Sequence, residues 1–426
     1  MLTVTIAFLV LMFLGMPVAF AIGVSGMMFF LMTPDVPVSI AVQRVVASSQ
    51  SFTLLAIPLF VFAGNLMNNT GITTRLLKLA NILTGHMYGN LAQVSCVLST
   101  LMSGVSGSAN ADVAMSSRIL GPAMIKRGYA RGYGAAVNGV SSMIVATIPP
   151  SMGLIIFGSV GEVSIGRLFV GGFVPGFMMA VALMITVRIT AKKRGYLPER
   201  TERASLGEVC RALVDGIWAL IFPVILIVGI RFGVFTPSES GAFACVYAIF
   251  VGVFIYKELK WKNFVQALKD TAGDIGMIMI LVCFSGILGW VVVFERVPQA
   301  MAAMLIGITE SQIILLFIII ALLLVCGMFM ETTVLALLLT PILLPVVTSI
   351  GVDPVHFGLI MMSVVTLGIM TPPTGIALFT ASTIMGCTPE ETSRESIPFI
   401  AAVIIVVAIC VFFPNLVLFL PNLVFG

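Results

Sequence analysis

The stretch Gly368–Ser382, GIMTPPTGIALFTAS, sets two adjacent prolines in a run apolar enough to lie in a membrane, with a threonine on either side. Proline has no backbone N–H, and its ring collides with the carbonyl one turn back. Pro372 and Pro373 therefore break any helix that crosses them and leave carbonyl oxygens without donors. At bilayer depth such a break is tolerated only where it is buried in protein or lines a watery cavity. Freed carbonyls beside the hydroxyls of Thr366, Thr371 and Thr374 are hard oxygen ligands, which suit a small cation such as Na+.

The rest of the chain fits that setting. Of its 426 residues, 59% are hydrophobic and 9% charged, with a mean hydropathy of +1.16. Soluble domains run near half apolar and a quarter charged. The composition therefore describes an all-α polytopic membrane protein with room for ten or more spans of about 20 residues. The apolar runs are continuous rather than alternating, which excludes a membrane β-barrel. The formal charge of +4 is small and its basic residues fall between spans, where they report orientation rather than nucleic-acid binding. Seven isolated cysteines without a CxxC pair read as small buried hydrophobes. His86 and His356 lie far apart, which argues against a metal centre. The apolar start lacks a basic region and a cleavage site, so it reads as retained membrane structure. No GxxxxGK[ST] or HExxH motif occurs, so an ATP-binding P-loop and one metalloprotease signature are absent. No hydrolase dyad is visible either, and the chain reads as not an enzyme. Transport by it would draw on an ion gradient or run downhill.

The only long polar interruption, RITAKKRGYLPERTERASLGEVCR (188–211), is rich in Arg and Lys and is expected on the cytoplasmic side. Basic residues at 74–80 and 125–134 should share that side. The amphipathic stretch KELKWKNFVQALKD (257–270) reads as a helix lying in the interface, with Trp261 at headgroup depth. Residues 2–32 allow either one tilted span or two short ones around Gly15–Pro17.

The polar loop divides two halves that resemble each other. LGPAMIKRGYARG and then ATIPPSMGLIIFGS in the first half correspond to LTPILLPVVTSIG and then GIMTPPTGIALFTAS in the second. Pro122 matches Pro341, and Pro149–Pro150 match Pro372–Pro373, with 28 residues from Pro122 to Pro150 and 32 from Pro341 to Pro373. The predicted organisation is two repeats of opposite orientation, 1–190 and 213–426, joined by a cytoplasmic loop at 191–212. Each holds a re-entrant hairpin (about 89–125 and 311–350) followed by a broken helix (about 133–160 and 355–385). Repeats of this kind place their substrate site where the broken helices meet.

Each hairpin has a readable tip. In LMSGVSGSANADVAMSS (101–117), glycines and serines interrupt an apolar run. The expectation is a turn that aims Ser103, Ser106, Ser108 and Asn110 at the protein centre. Asp112 would begin the second arm and complement its helix N-terminus. The matching tip is VCGMFMETTVLA (325–336), where Glu331 is the only charge between about 311 and 350. An intramembrane acid is a functional candidate by default, although Glu331 could also simply cap the helix that Thr332 and Thr333 begin. Thr147 and Ser151 flank the first proline pair as Thr371 and Thr374 flank the second. Arg231, Glu239, Asp274, Glu295 and Arg296 read as lying near span ends, where they snorkel or pair.

These motifs resemble a known family. LLAIPLFVFAGNLMNNTG (54–71), SGVSGSANAD (103–112), PAMIKRGY (122–129), TIPPS (147–151), CGMFMETT (326–333) and TPPTG (371–375) are similar, in order and spacing, to the large membrane subunit of tripartite ATP-independent periplasmic (TRAP) transporters. The resemblance implies Na+-driven uptake of organic acids across the bacterial inner membrane. It also implies a small four-helix membrane subunit, a periplasmic substrate-binding protein, and an elevator mechanism in which a transport domain slides against a scaffold. On this view Ser106, Ser108, Asn110, Asp112, Ser151, Glu331, Thr332 and Thr333 are expected to meet the substrate. Ser103, Ser106, Thr147, Gly327, Thr366, Thr371 and Thr374 are expected to hold Na+. Sialic acid and C4-dicarboxylates are both common substrates within the family. Tips rich in hydroxyls lean toward a polyhydroxylated monocarboxylate. The alternative is a stand-alone Na+/anion symporter of a related inverted-repeat fold that uses no binding protein.

Overall fold

The computed structural model describes residues 2–50, 52–308 and 311–426, and no strand occurs among them. The chain opens with α1 (Leu2–Phe13) and α2 (Val18–Met32). Gly15, at φ +87°, and Pro17 separate them, so residues 2–32 form two short helices. Next come α3 (Ser39–Ser49), α4 (Ala56–Asn68) and α5 (Ile72–Thr84). The first hairpin is α6 (Asn90–Ser106) and α7 (Ala109–Lys126). The first broken helix is α8 (Arg131–Ser141) and α9 (Met143–Thr147), then a gap, then α10 (Met152–Val160). The half closes with α11 (Ile165–Arg194).

In the second half, α12 (Leu206–Arg231) and α13 (Pro237–Phe250) each start with a capping box, Ser205–Glu208 and Thr236–Glu239. Glu239 is thus a helix cap. They lead to α14 (Trp261–Phe294) and α15 (Val297–Ile308). The second hairpin is α16 (Gln312–Phe329) and α17 (Thr332–Ser349), and the second broken helix is α18 (Pro354–Gly368) and α19 (Ile376–Met385). The chain ends with α20 (Pro389–Phe412) and α21 (Pro414–Phe425). Among the described residues seven helices are long and apolar enough to cross a membrane, and α8–α9 with α10 make a further pair bent by 42°.

One sequence expectation fails. Residues 257–270 do not form a separate interfacial helix, because Trp261 begins the 34-residue α14, which continues unbroken to Phe294. No proline interrupts that run, and its length of about 51 Å exceeds a hydrocarbon core of about 30 Å. The amphipathic part is the overhang of a span.

Ion pairs identify one face of the molecule. Arg75 meets Glu258 at 2.8 Å, Lys78 meets Asp215 at 3.3 Å, Arg127 meets Glu199 at 2.7 Å and Arg194 meets Glu395 at 2.6 Å. The base of the first hairpin, the end of α11 and the start of α20 therefore lie together on this basic face. At the far face Arg167 donates to Asn422 at 2.6 Å, and the His356 ring bonds the Cys410 carbonyl at 2.8 Å. The second hairpin and α18 thus enter from the side opposite to the first. The helices that follow the two breaks, α11 and α20, pack antiparallel.

Contacts between the halves run crosswise. The outer piece of the first broken helix, α10, packs on α17 of the second hairpin, and α19 packs on α7 of the first. Within each half the first hairpin arm rests on the inner broken-helix segment, α6 on α8 and α9, and α16 on α18. Glycines set these distances. Gly107 turns the first tip at φ +60°, and a Cβ there would stand 2.5 Å from the Pro150 carbonyl oxygen. At the second tip a Cβ on Gly327 would stand 2.8 Å from the Val365 carbonyl oxygen and 3.0 Å from Gly368 Cα.

Candidate functional site between the two hairpin tips

Both tips are fastened to the breaks beside them. The Met152 amide donates to the Gly107 carbonyl at 3.2 Å, tying the first tip to the end of the first break. Thr374 Oγ1 donates to the Met328 carbonyl at 2.6 Å, tying the second break to the second tip. Serines begin the helices that lead away. Ser108 caps α7 by accepting from the Ala111 amide, and Ser151 caps α10 by accepting from the Leu154 amide. Ser151 also donates to the Ala146 carbonyl at 2.5 Å and is buried, so it shapes the break and does not face open space.

A cavity of about 530 Å³ opens against these tips. Ser106, Ser108 and Asn110 line it from the first hairpin, and Glu331 and Thr333 from the second. Its opposite wall is Asn65 and Asn68 of α4 with Asp274, Met277 and Leu281 of α14. Behind it a pocket of about 20 Å³ lies between Gly107, Asn110, Gly153, Glu331, Thr332 and Ile369. That is space for one water-sized species. Ser106 Oγ, Asn110 Oδ1 and Thr332 Oγ1 are buried and have no hydrogen-bond partner. Buried polar atoms are normally paired, so three orphans around one joint mark a place built to receive a guest.

Asp112 is set differently. On a helix, two residues of separation turn a side chain by about 200°, so Asp112 faces away from Asn110. It is 1% exposed, lies outside the cavity lining, and accepts from Ser99 Oγ at 2.6 Å. Ser99 in turn reaches Ser141, which bonds Ser95 at 2.8 Å. The second carboxylate oxygen of Asp112 has no partner.

Among the residues expected to bind Na+, only Ser106 reaches the cavity. Ser103 donates to the Thr100 carbonyl at 2.6 Å, Thr147 to Met143 at 3.2 Å, Thr366 to Met362 at 2.7 Å and Thr371 to Leu367 at 3.0 Å. A hydroxyl that donates in this way still turns its lone pairs outward. Ser103 and Thr147 belong to α6 and α9, which pack together in one seam, although the Thr147 hydroxyl stands 3.8 Å from Met179 Sδ of α11. Thr366 belongs to α18, which packs on α16 in a second seam, and Thr371 follows it in the break. Gly327 lies in the second seam. Thr374 is exposed.

Comparisons with known proteins fit this architecture. The family model "Tripartite ATP-independent periplasmic transporter, DctM component" matches residues 5–416. The chain belongs to this family. It is 36% identical to the sialic acid TRAP transporter large permease protein SiaM of Vibrio cholerae over 98% of this chain and 97% of that one. It is 32% identical to the C4-dicarboxylate TRAP transporter large permease protein DctM of Rhodobacter capsulatus over 97% of each chain. In fold it is similar to the Alcanivorax borkumensis YdaH transporter, whose structure is described as having an unusual topology. The TM-score is 0.58 at 12% identity, covering 88% of this chain and 87% of that one. The relatives are transporter permeases, not enzymes.

In this TRAP permease the sequence reading missed the far wall of the cavity. Asp274, the fourteenth residue of α14, stands just before the helix's apolar run and lines the cavity in front of the tips. Its partner Asn65 carried a signal, because carboxamides at 65, 68 and 69 are costly in an otherwise apolar helix.

Proposed function

We propose that this permease carries out Na+-coupled uptake of an organic acid, of the sialic acid or C4-dicarboxylate class, across a bacterial inner membrane. A periplasmic binding protein delivers the acid and a small four-helix membrane subunit completes the transporter. The observation that carries this reading is the polar joint between the tips, with its three unpartnered atoms Ser106 Oγ, Asn110 Oδ1 and Thr332 Oγ1 beside a substrate-sized cavity. The acid's carboxylate lies against hydroxyls and the N-terminal ends of α7 and α17, whose dipoles favour anions. Na+ sits in the two seams, around Ser103 and Thr147 on one side and Gly327, Thr366 and Thr371 on the other. There it offsets Asp112 and Glu331 and stiffens the tips that hold the acid.

The elevator motion follows from which parts travel. The hairpins and broken helices are locked crosswise into one block, and α4 and α14 form a wall packed against it at α6, α10 and α17. Sliding the block along that wall exposes the joint first to one side, then to the other. The test is uptake by the purified complex in liposomes. Labelled acid should accumulate only with an inward Na+ gradient, and only when the binding protein is present. Uptake that survives collapse of the Na+ gradient overturns the coupling. Uptake that needs no binding protein favours the stand-alone symporter.

A further inference from the structure

The far wall of the cavity carries a second carboxylate that the transport chemistry above does not use. Asn65 Nδ2 donates to Asp274 Oδ2 at 3.2 Å and to Thr271 Oγ1 at 3.0 Å. Thr271 is itself fixed by donating to the Ala267 carbonyl at 2.6 Å. This bracing holds the Asp274 side chain toward the space in front of the tips. Among the described residues no Lys or Arg lies within ion-pairing distance of Asp274, and none lines the cavity. The remaining polar lining is Asn65, Asn68 and Asn110 with Ser106, Ser108, Thr333 and the second acid, Glu331.

A chamber of about 530 Å³ thus offers two carboxylates, several carboxamide and hydroxyl acceptors, and no fixed cation. A substrate's carboxylate finds donors at the tips and, on the wall, at the Asn68 carboxamide, since Asn65 already spends its N–H groups on Asp274 and Thr271. Whatever part of the substrate reaches across to α14 meets Asp274. A second carboxylate there faces a like charge, which is a repulsive element of specificity. A hydroxyl, amide or ammonium group finds an acceptor already held in place.

We propose that Asp274 is the specificity-determining residue of the scaffold wall, selecting a monocarboxylate that carries several hydrogen-bond donors and rejecting a dicarboxylate. This rests on the transport function proposed above and narrows its substrate class. Because Asp274 and Asn65 stand on the wall and not on the sliding block, their contact exists in only one orientation of the transporter. Asp274 therefore acts at one end of the cycle, on capture or release at that side.

The test measures binding directly, so that selection by the periplasmic protein does not intervene. Purified permease with its small subunit, in saturating Na+ and again without Na+, is titrated with sialic acid, gluconate and succinate while its thermal unfolding is followed. The wild type should bind sialic acid and gluconate and bind succinate about tenfold more weakly or worse. Asp274→Asn keeps the shape and the Asn65 contact but removes the charge, and should narrow that gap about tenfold, mainly by improving succinate. Met277→Lys, one turn along the same wall, should shift preference the same way without disturbing the Asn65 bond, and covers the case in which the first variant does not fold. Preference for succinate by the wild type, or a ratio unchanged in the folded variants, overturns the assignment of Asp274. Binding that does not depend on Na+ overturns the coupling and leaves this assignment standing. Failure of all three acids to bind in Na+ overturns both.

Discussion

The two proline pairs share a motif but not their surroundings. Pro149, Pro150 and Ser151 are buried, whereas Pro372, Pro373 and Thr374 are exposed. The first break is sealed by backbone, with the Gly107 tip bonded to Met152 and Gly172 of α11 packed against the Thr147 carbonyl. The second is joined to its tip by a side chain, Thr374 on the Met328 carbonyl, while the Ala377 and Leu378 amides close the break on the Ile369 carbonyl. Two copies related by inversion would look alike in a molecule symmetric about its midplane. On the elevator motion proposed above, unlike environments for like sequences would be those of one end of the cycle.

Substitutions at matching positions sharpen that contrast. The largest effect is expected from Gly107→Ala. It combines a left-handed backbone with a Cβ 2.5 Å from the Pro150 oxygen, and should cost about 3 kcal/mol and abolish uptake. Thermal unfolding and flux on the same sample check it, and a milder result would mean the first break is less sealed than it looks. Asp112→Asn comes next. It leaves Ser99 a partner but removes the buried charge, and should cut Na+-driven uptake about tenfold or more while expression persists. Uptake measured over a range of Na+ concentrations checks this.

Thr374→Val removes the side-chain bond that ties the exposed break to its hairpin tip, worth about 1 kcal/mol, and should weaken apparent Na+ affinity roughly fivefold. If that affinity is unchanged, the exposed break takes no part in ion binding. The smallest effect belongs to Arg194→Gln, which opens the Arg194–Glu395 pair at the basic face. Partly exposed ion pairs are worth under about 1 kcal/mol, so stability should fall by no more than that and flux should hold. Larger losses in flux would give that pair a part in the motion.

The contrast also explains what was legible in the sequence. Hairpins and broken helices announce themselves locally, through Gly107 and Gly327 at tips and paired prolines in breaks. The structure has helices at Asn90–Ser106, Ala109–Lys126, Gln312–Phe329 and Thr332–Ser349. Ser106, Asn110 and Thr332 at the tips each carry a buried polar atom without a hydrogen-bond partner. What escaped depends on residues far apart in the chain. Asp274 and Asn65 become one wall only through packing of α14 on α4. Asp112 turns from the cavity because of helical pitch, which a list of polar tip residues ignores. The overhang at Trp261 was misread because amphipathicity looks the same whether a helix stops at the interface or continues into a span.

The crosswise docking of α10 on α17 and of α19 on α7 has a mechanical consequence. Neither half can shift its loop without dragging the other's kinked rod along, as two interlaced hands cannot be drawn apart one finger at a time. On the proposed mechanism, a passenger gripped by either half would be carried by both, because the weave opposes travel by one half alone.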